Sequence, residues 1–212
     1  MAKVNAFGRQ KGWIEVICGP MFAGKSEELL RRINLLKYSE AKYLLFTPTK
    51  DTRSGGKRAK SRDGREFTSI SVEKAIDIIG HVNKASEIVQ VVAIDEAQFF
   101  DEELCNVCNY LANNNYIVLV AGLDMDFDGN PFKTMTNIIT VAEKVTKLKA
   151  ICMTCGAEAS FSERLKSAQK KQGGRDQIMI GDIESYEARC RHCHTLSKAN
   201  PWNFPKLRKA KV

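Results

Sequence analysis

The chain has 212 residues, 43% of them hydrophobic and 27% charged, which suits one ordinary globular domain with a small appendage. No apolar run reaches the ~20 residues that span a bilayer, and "MAKVNAFGRQKGW" lacks the apolar core of a signal peptide, so a cytoplasmic protein without membrane contact is expected. The formal charge of +8 favours anionic partners, with much of the excess in Arg53 to Glu66 and the tail "KLRKAKV", both of which also read as solvated segments.

"WIEVIC" (Trp13 to Cys18) predicts a short strand ending at a glycine. The next eight residues, Gly19, Pro20, Met21, Phe22, Ala23, Gly24, Lys25 and Ser26, fit G-x-x-x-x-G-K-[ST] in full. After them Leu29, Leu30, Ile33 and Leu36 recur at helical spacing. A strand before and a helix after are the context this phosphate-binding loop requires. Backbone N–H groups and the helix N-terminus would wrap a phosphate. Lys25 would reach the outer phosphates and the Ser26 hydroxyl would bind Mg²⁺, making ATP with Mg²⁺ the expected ligand.

"KYLLFTP" predicts a second strand, and Lys50 to Arg65 a long polar, basic loop. "FTSISV" predicts a short strand and Glu73 to Val82 a helix. "IVQVVAID" predicts a buried strand with Asp95 at its C-terminal end. In a parallel sheet, ligands bind outside those ends, so Asp95 suits a second Mg²⁺ contact. Glu96 follows and would accept a proton from the attacking oxygen, whether of water or of a substrate hydroxyl. With Gln98 these residues form "DEAQ", a box shared by RNA-dependent ATPases and small-molecule kinases. A nucleic-acid-dependent ATPase is the alternative reading. Such motors use two nucleotide-binding-type domains, and one domain of about 150 residues already fills most of this chain.

"DEELCNVCNYLANNN" predicts an amphipathic helix opened by Asp101 as a capping residue; Cys105 and Cys108 inside it belong to helix packing. "YIVLVAGLD" predicts another buried strand. "PFKTMTNIITVAEKVTKLKAIC" predicts a short helical turn and then a strand over Val145 to Ile151. Near-continuous apolar strands alternating with helices indicate an α/β fold with a parallel sheet covered on both faces.

Seven cysteines are present. Cys152, Cys155, Cys190 and Cys193 form C-x₂-C…C-x₂-C, a ligand set for a closed, structural Zn²⁺ site. His192 and His194 are alternative ligands; Cys193 completes the knuckle spacing. The expected organisation is a P-loop domain over 1–151, a zinc-bearing domain over 152–200, with "KKQGGRD" as a loop inside it, and a basic tail over 201–212. A unit of that small size needs a staple.

The order of these parts, from the phosphate loop through the basic loop, "DEAQFF" and "GLDMDFDGNPF" to "SYEARCRHCH", resembles thymidine kinases of the bacterial and cytosolic vertebrate type, over roughly Gly12 to His194. The resemblance implies a RecA-like core with a zinc-ribbon lasso, ATP-dependent 5′-phosphorylation of thymidine and deoxyuridine, a homotetramer, and feedback inhibition by thymidine triphosphate. It implies Glu96 as general base, Asp51, Arg53 and Gln98 near the nucleotide, and no nucleic-acid partner. For the substrate pocket it implies Phe127 stacking on the base, with Met21, Leu123 and Phe132 as apolar walls. Ser162 would lie near the base's methyl group, Tyr186 near the sugar, and Ile178, Met179, Ile180 and Gly181 would bond the base through backbone. Asp182 stands where the family often has glycine, and Ser162 where threonine is common.

Overall fold

A computed structural model describes residues 12–37, 40–49, 58–60, 66–165, 185–196 and 200. Asp51, Arg53, Ile178 to Gly181, Asp182, the "KKQGGRD" loop and the tail 201–212 lie outside the described residues.

The chain starts with strand β1 (Trp13–Cys18), helix α1 (Lys25–Lys37) and strand β2 (Tyr43–Pro48). A short antiparallel pair, β3 (Arg58–Lys60) and β4 (Glu66–Thr68), follows, then β5 (Ile70–Val72), α2 (Asp77–Asn83) and β6 (Val91–Ile94). A single 3₁₀ turn (Ala97–Phe99), α3 (Leu104–Asn113), β7 (Ile117–Gly122), α4 (Lys133–Val141) and β8 (Lys144–Lys147) complete the core.

Six strands form one sheet in the order β5-β2-β6-β7-β1-β8, every neighbouring pair parallel. Parallel pairing demands crossovers, and the helices supply them on both faces. Side chains alternate across each strand, so Ile14, Val16 and Cys18 join one apolar cluster and Ile17 the other. The first cluster lies under α2, α3 and α4 and takes in Ile78, Leu104, Val107, Cys108, Met135 and Ile138. The second lies under α1, with Leu29, Leu30, Ile33 and Leu36. The helical spacing read in the sequence is therefore the stripe that α1 buries. Cys18 and Cys108 are core residues and Cys105 is half-buried against the same cluster, in keeping with packing.

Several expectations change. The segment Lys50 to Arg65 is not wholly loop, because Arg58–Lys60 pairs with Glu66–Thr68; three-residue strands are too short to leave an alternating pattern. "FTSISV" is accordingly two strands, the first in that hairpin and the second at the edge of the main sheet. The short helical turn after Pro131 is a nine-residue helix, and the strand after it splits. Residues Lys144–Lys147 join β1, whereas β9 (Ala150–Ile151) pairs with β10 (Glu158–Ala159) in the cysteine-bearing unit. That unit is completed by β11 (Phe161–Arg164) and β12 (Tyr186–Arg189), an antiparallel pair. Asp101 serves the approach to α3 rather than its first residue: its Oδ1 accepts from Glu103 N at 3.2 Å and its Oδ2 from Ala75 N at 3.3 Å.

Candidate active site

Register brings the chemistry to one edge. Cys18 of β1 pairs with Gly122 of β7 and Lys147 of β8, and Ile94 of β6 with Val120 of β7. The residues that leave these strand ends, Gly19, Asp95 and Leu123, therefore emerge together at the carboxyl edge of the sheet, where parallel α/β folds bind ligands.

The phosphate loop needs backbone that L-residues avoid. Gly19 has φ +142°, and a Cβ there would meet Leu148 O at 2.5 Å. Phe22 and Gly24 also have positive φ, 65° and 77°. Left-handed residues set among others can turn successive N–H groups into one concavity, an anion nest, and α1 begins at Lys25 behind this loop. Lys25 Nζ donates to Pro20 O at 2.7 Å, inside the loop it would serve; a phosphate oxygen is the stronger, charge-assisted acceptor.

Asp95 is buried at the end of β6 and takes hydrogen bonds from the Ser26 hydroxyl and from Glu96 N, the latter at 2.9 Å to its Oδ1. Burial first, and then the neighbouring Glu96 charge, push its carboxyl up to about 7, against these hydrogen bonds and the Lys25 charge. Two adjacent carboxylates and a serine hydroxyl under a phosphate nest suit a divalent cation: the oxygen donors and surplus negative charge are those Mg²⁺ takes. Glu96 has left-handed backbone, φ 51°, ψ 41°, a conformation that costs a non-glycine residue roughly 1–2 kcal/mol. Its carboxylate accepts from Gln98 Nε2, and Gln98 Oε1 accepts from Leu123 N at 2.9 Å.

Beside this edge, Met21, Leu123, Phe132 and Tyr186 fall in one continuous apolar cluster, with half-buried Phe127 packed against it. The Arg164 guanidinium stands 5.7 Å from the Phe127 ring centroid. Ser162 Oγ accepts from Met21 N at 2.9 Å, so its hydroxyl ties β11 to the phosphate loop.

The sequence reading did not single out the residues that hold Phe127. Asp126 Oδ1 accepts from Asp128 N at 2.9 Å and Asn130 N at 2.8 Å, while Gly129 takes φ +81°. This closes a tight turn with Phe127 near its tip; the Asp-x-Asp-Gly-Asn string is an aspartate-turn signal that could have found it. His194 Nε2 donates to Phe127 O at 2.9 Å, and its ring stacks on Phe161 at 4.6 Å. No motif announces that bond. The Asp124 carboxylate, at the end of β7, pairs with Lys147 Nζ at 2.6 Å.

The ligand atoms of Cys152, Cys155, Cys190 and Cys193 all lie within 4.8 Å of one another, and Cys155 Sγ stands 3.7 Å from Cys190 Sγ. Four sulfurs at the usual Zn–S distance of about 2.3 Å in a tetrahedron are separated by roughly 3.8 Å, so the cluster fits zinc. At Cys152 burial opposes the thiolate, but amide hydrogen bonds from Cys190, Thr154 and Cys155 outweigh it and bring the thiol down to about 6. Cys193, not His192 or His194, closes this set, and His194 is turned to Phe127.

The family model for thymidine kinase matches residues 12–194. A thymidine kinase of Mycoplasmoides gallisepticum (strain R(low / passage 15 / clone 2)) is 50% identical over 194 residues, covering 92% of this chain and 86% of that protein. One from Ureaplasma parvum serovar 3 is 46% identical over 196 residues, covering 92% and 87%. Among solved structures, the Legionella pneumophila ATPase DotB overlaps with TM-score 0.42 at 10% identity, over 70% of this chain and 43% of that one; the fold assignment rests instead on the sheet described above. With a phosphate nest, a strand-end carboxylate pair and a four-cysteine cluster all inside the matched span, the chain belongs to the thymidine kinase family.

Proposed function

We infer that the protein transfers the terminal phosphoryl group of ATP to the 5′-hydroxyl of thymidine, giving ADP and thymidine 5′-monophosphate, with Glu96 taking the hydroxyl proton. Family membership carries the reaction. The residue roles are supported by one observation: the phosphate nest, the Asp95–Glu96 pair and the apolar cluster holding Met21, Leu123 and Phe132 meet at the same edge of the sheet. Glu96 Oε accepts the proton as the 5′-oxygen bonds to the γ-phosphorus, and the bond from that phosphorus to the β-phosphate oxygen breaks, releasing ADP. Gly19 to Ser26 and Lys25 hold the phosphates, and Asp51 and Arg53 are proposed near them. Mg²⁺, held by Ser26 and Asp95, would supply charge neutralisation at the transferring group. Phe127 would stack on the pyrimidine between the apolar walls, Ser162 and Tyr186 would border it, and the backbone of Ile178 to Gly181 would bond its edge.

Deoxyuridine differs by one methyl, worth about 1 kcal/mol of apolar burial, and should be a weaker substrate; equal KM values would rule out a methyl-reading pocket. Zinc in the Cys₄ cluster, a homotetramer, inhibition by thymidine triphosphate and a cytoplasmic location complete the proposal. A monomer in sedimentation equilibrium, or phosphorylation unaffected by thymidine triphosphate, would remove the corresponding part. The competing nucleic-acid-dependent ATPase predicts that RNA, and not thymidine, stimulates ADP release.

Glu96→Gln should leave ATP binding intact and lower kcat by about 10²–10⁴-fold, the usual worth of a general base. Quench-flow or coupled ADP assays read this directly, and a kcat near wild type would take the role from Glu96.

A further inference from the structure

Gln98 sits in the 3₁₀ turn immediately after Glu96 and is only 7% exposed. Both ends of its amide are used inside the protein. Nε2 donates to Glu96 Oε2, and Oε1 accepts from Leu123 N at 2.9 Å where β7 ends. The space for it is made by Gly122, where a Cβ would lie 2.8 Å from Gln98 Oε1 and 2.7 Å from Met135 Sδ. Glu96 is thus held at backbone and at side chain: its N–H donates to Asp95 Oδ1 at 2.9 Å in left-handed backbone, and its carboxylate takes the Gln98 amide. A glutamate side chain has three rotatable bonds, so the backbone bond alone does not fix where the carboxylate points.

We propose that Gln98 is a positioning residue for phosphoryl transfer, fixing the Glu96 carboxylate against the end of the strand that also supplies Leu123 to the nucleoside pocket. Proton acceptor and nucleoside then share one reference, the Leu123 amide. The inference rests on the reading of Glu96 as the base. A neutral amide suits this position. A cation there would favour the ionised carboxylate and make it a weaker base, and an apolar side chain would leave Leu123 N–H buried without an acceptor.

Two variants separate the two bonds. Gln98→Met keeps the length of the side chain and removes both. Gln98→Glu keeps an acceptor for Leu123 N and replaces the donor facing Glu96 with a carboxylate oxygen, so it removes the Glu96 bond and sets a like charge against that carboxylate. It keeps the test open if the methionine variant does not fold, and its kcat–pH profile should shift upward on the acidic side. Each should lower kcat by about 10²-fold, the scale of a misplaced reacting group; KM for thymidine should stay within about twofold of wild type in Gln98→Glu, which keeps the Leu123 bond, and rise in Gln98→Met, which loses it. Placed in a Glu96→Gln background, Gln98→Glu should add no further loss of kcat, since the group it positions is gone. A loss that persists in that background, a change confined to KM, or an unchanged kcat in a folded variant would each overturn the positioning role. If Glu96→Gln by itself keeps kcat, the base assignment fails first, and this inference fails with it for that separate reason.

Discussion

The Ser162 hydroxyl on β11 accepts from the amide of Met21, a residue 141 positions earlier in the phosphate loop. This bond joins the phosphate loop directly to the β11–β12 pair, and it lies in a buried setting. Ser162→Ala would leave the Met21 N–H without its acceptor, at a cost of about 1–3 kcal/mol. Urea unfolding should show that loss, and Ser162→Thr should restore most of it because the hydroxyl is kept. A silent Ser162→Ala variant would mean that the amide finds water instead. Gly19 makes the complementary case at the same scale. At φ +142° and with Leu148 O 2.5 Å from any Cβ, Gly19→Ala should abolish ATP binding in titration calorimetry more completely than a neutral surface change could. At this position the demand is set by the backbone, since Leu148 O leaves no room for a side chain.

At the scale of elements, α1 is tied to the sheet by charge as well as by its apolar stripe. Arg32 reaches Glu28 at 2.9 Å on its own helix, Glu15 of β1 at 2.9 Å and Thr146 of β8 at 2.7 Å. Arg31 adds a two-pronged contact to Glu28 at 2.6 and 2.9 Å. The Arg31 hydrogen bond first, with Arg32 assisting against partial burial, brings the Glu28 carboxyl down from 4.5 to about 2. A depressed carboxylate stabilises the folded state fully above its unfolded value and loses that contribution as pH falls through the folded one. The stability difference between wild type and Glu28→Gln should therefore be constant above about pH 5 and shrink steadily toward pH 2 in urea titrations. A gap that stayed the same across that window would assign the effect to packing. Because Glu28 lies in the first turn of the helix behind the phosphate loop, the same variant tests how firmly that helix end is anchored.

At the scale of the whole fold, the two large apolar clusters flank the main sheet, whereas among the described residues the cysteine unit shows a small one of Ala150, Cys152, Ala159, Ala188 and Cys190. Alanine side chains and a pair of thiols do not bury enough surface to hold several short strands, so metal and fold should be coupled there. The second knuckle is continuous with His194, which donates to Phe127 O. Thiol modification with simultaneous metal capture should thus release one equivalent of zinc, lower the unfolding temperature, and raise KM for thymidine more than KM for ATP. Release of no metal would remove zinc from the site, and an equal rise in both constants would show that the knuckle does not act through Phe127.

By itself the sequence determined the parts whose information is local. The glycines and lysine of Gly19 to Ser26 encode a nest because φ and steric access are properties of single positions. The apolar runs around Val91–Ile94 and Ile117–Gly122 encode buried parallel strands because both their faces are covered. The two cysteine pairs encode a cluster of four thiols because ligand chemistry is specific to residue type. Tertiary structure alone decided what depends on distance between remote segments: which strand neighbours which, the division of Val145 to Ile151 between two sheets, the Ser162–Met21 bond, the His194–Phe127 bond, and the placing of Gln98 between Glu96 and Leu123. Serine, histidine and glutamine make hydrogen bonds almost anywhere, so their identity carries no address; the closing of the sheet supplies it.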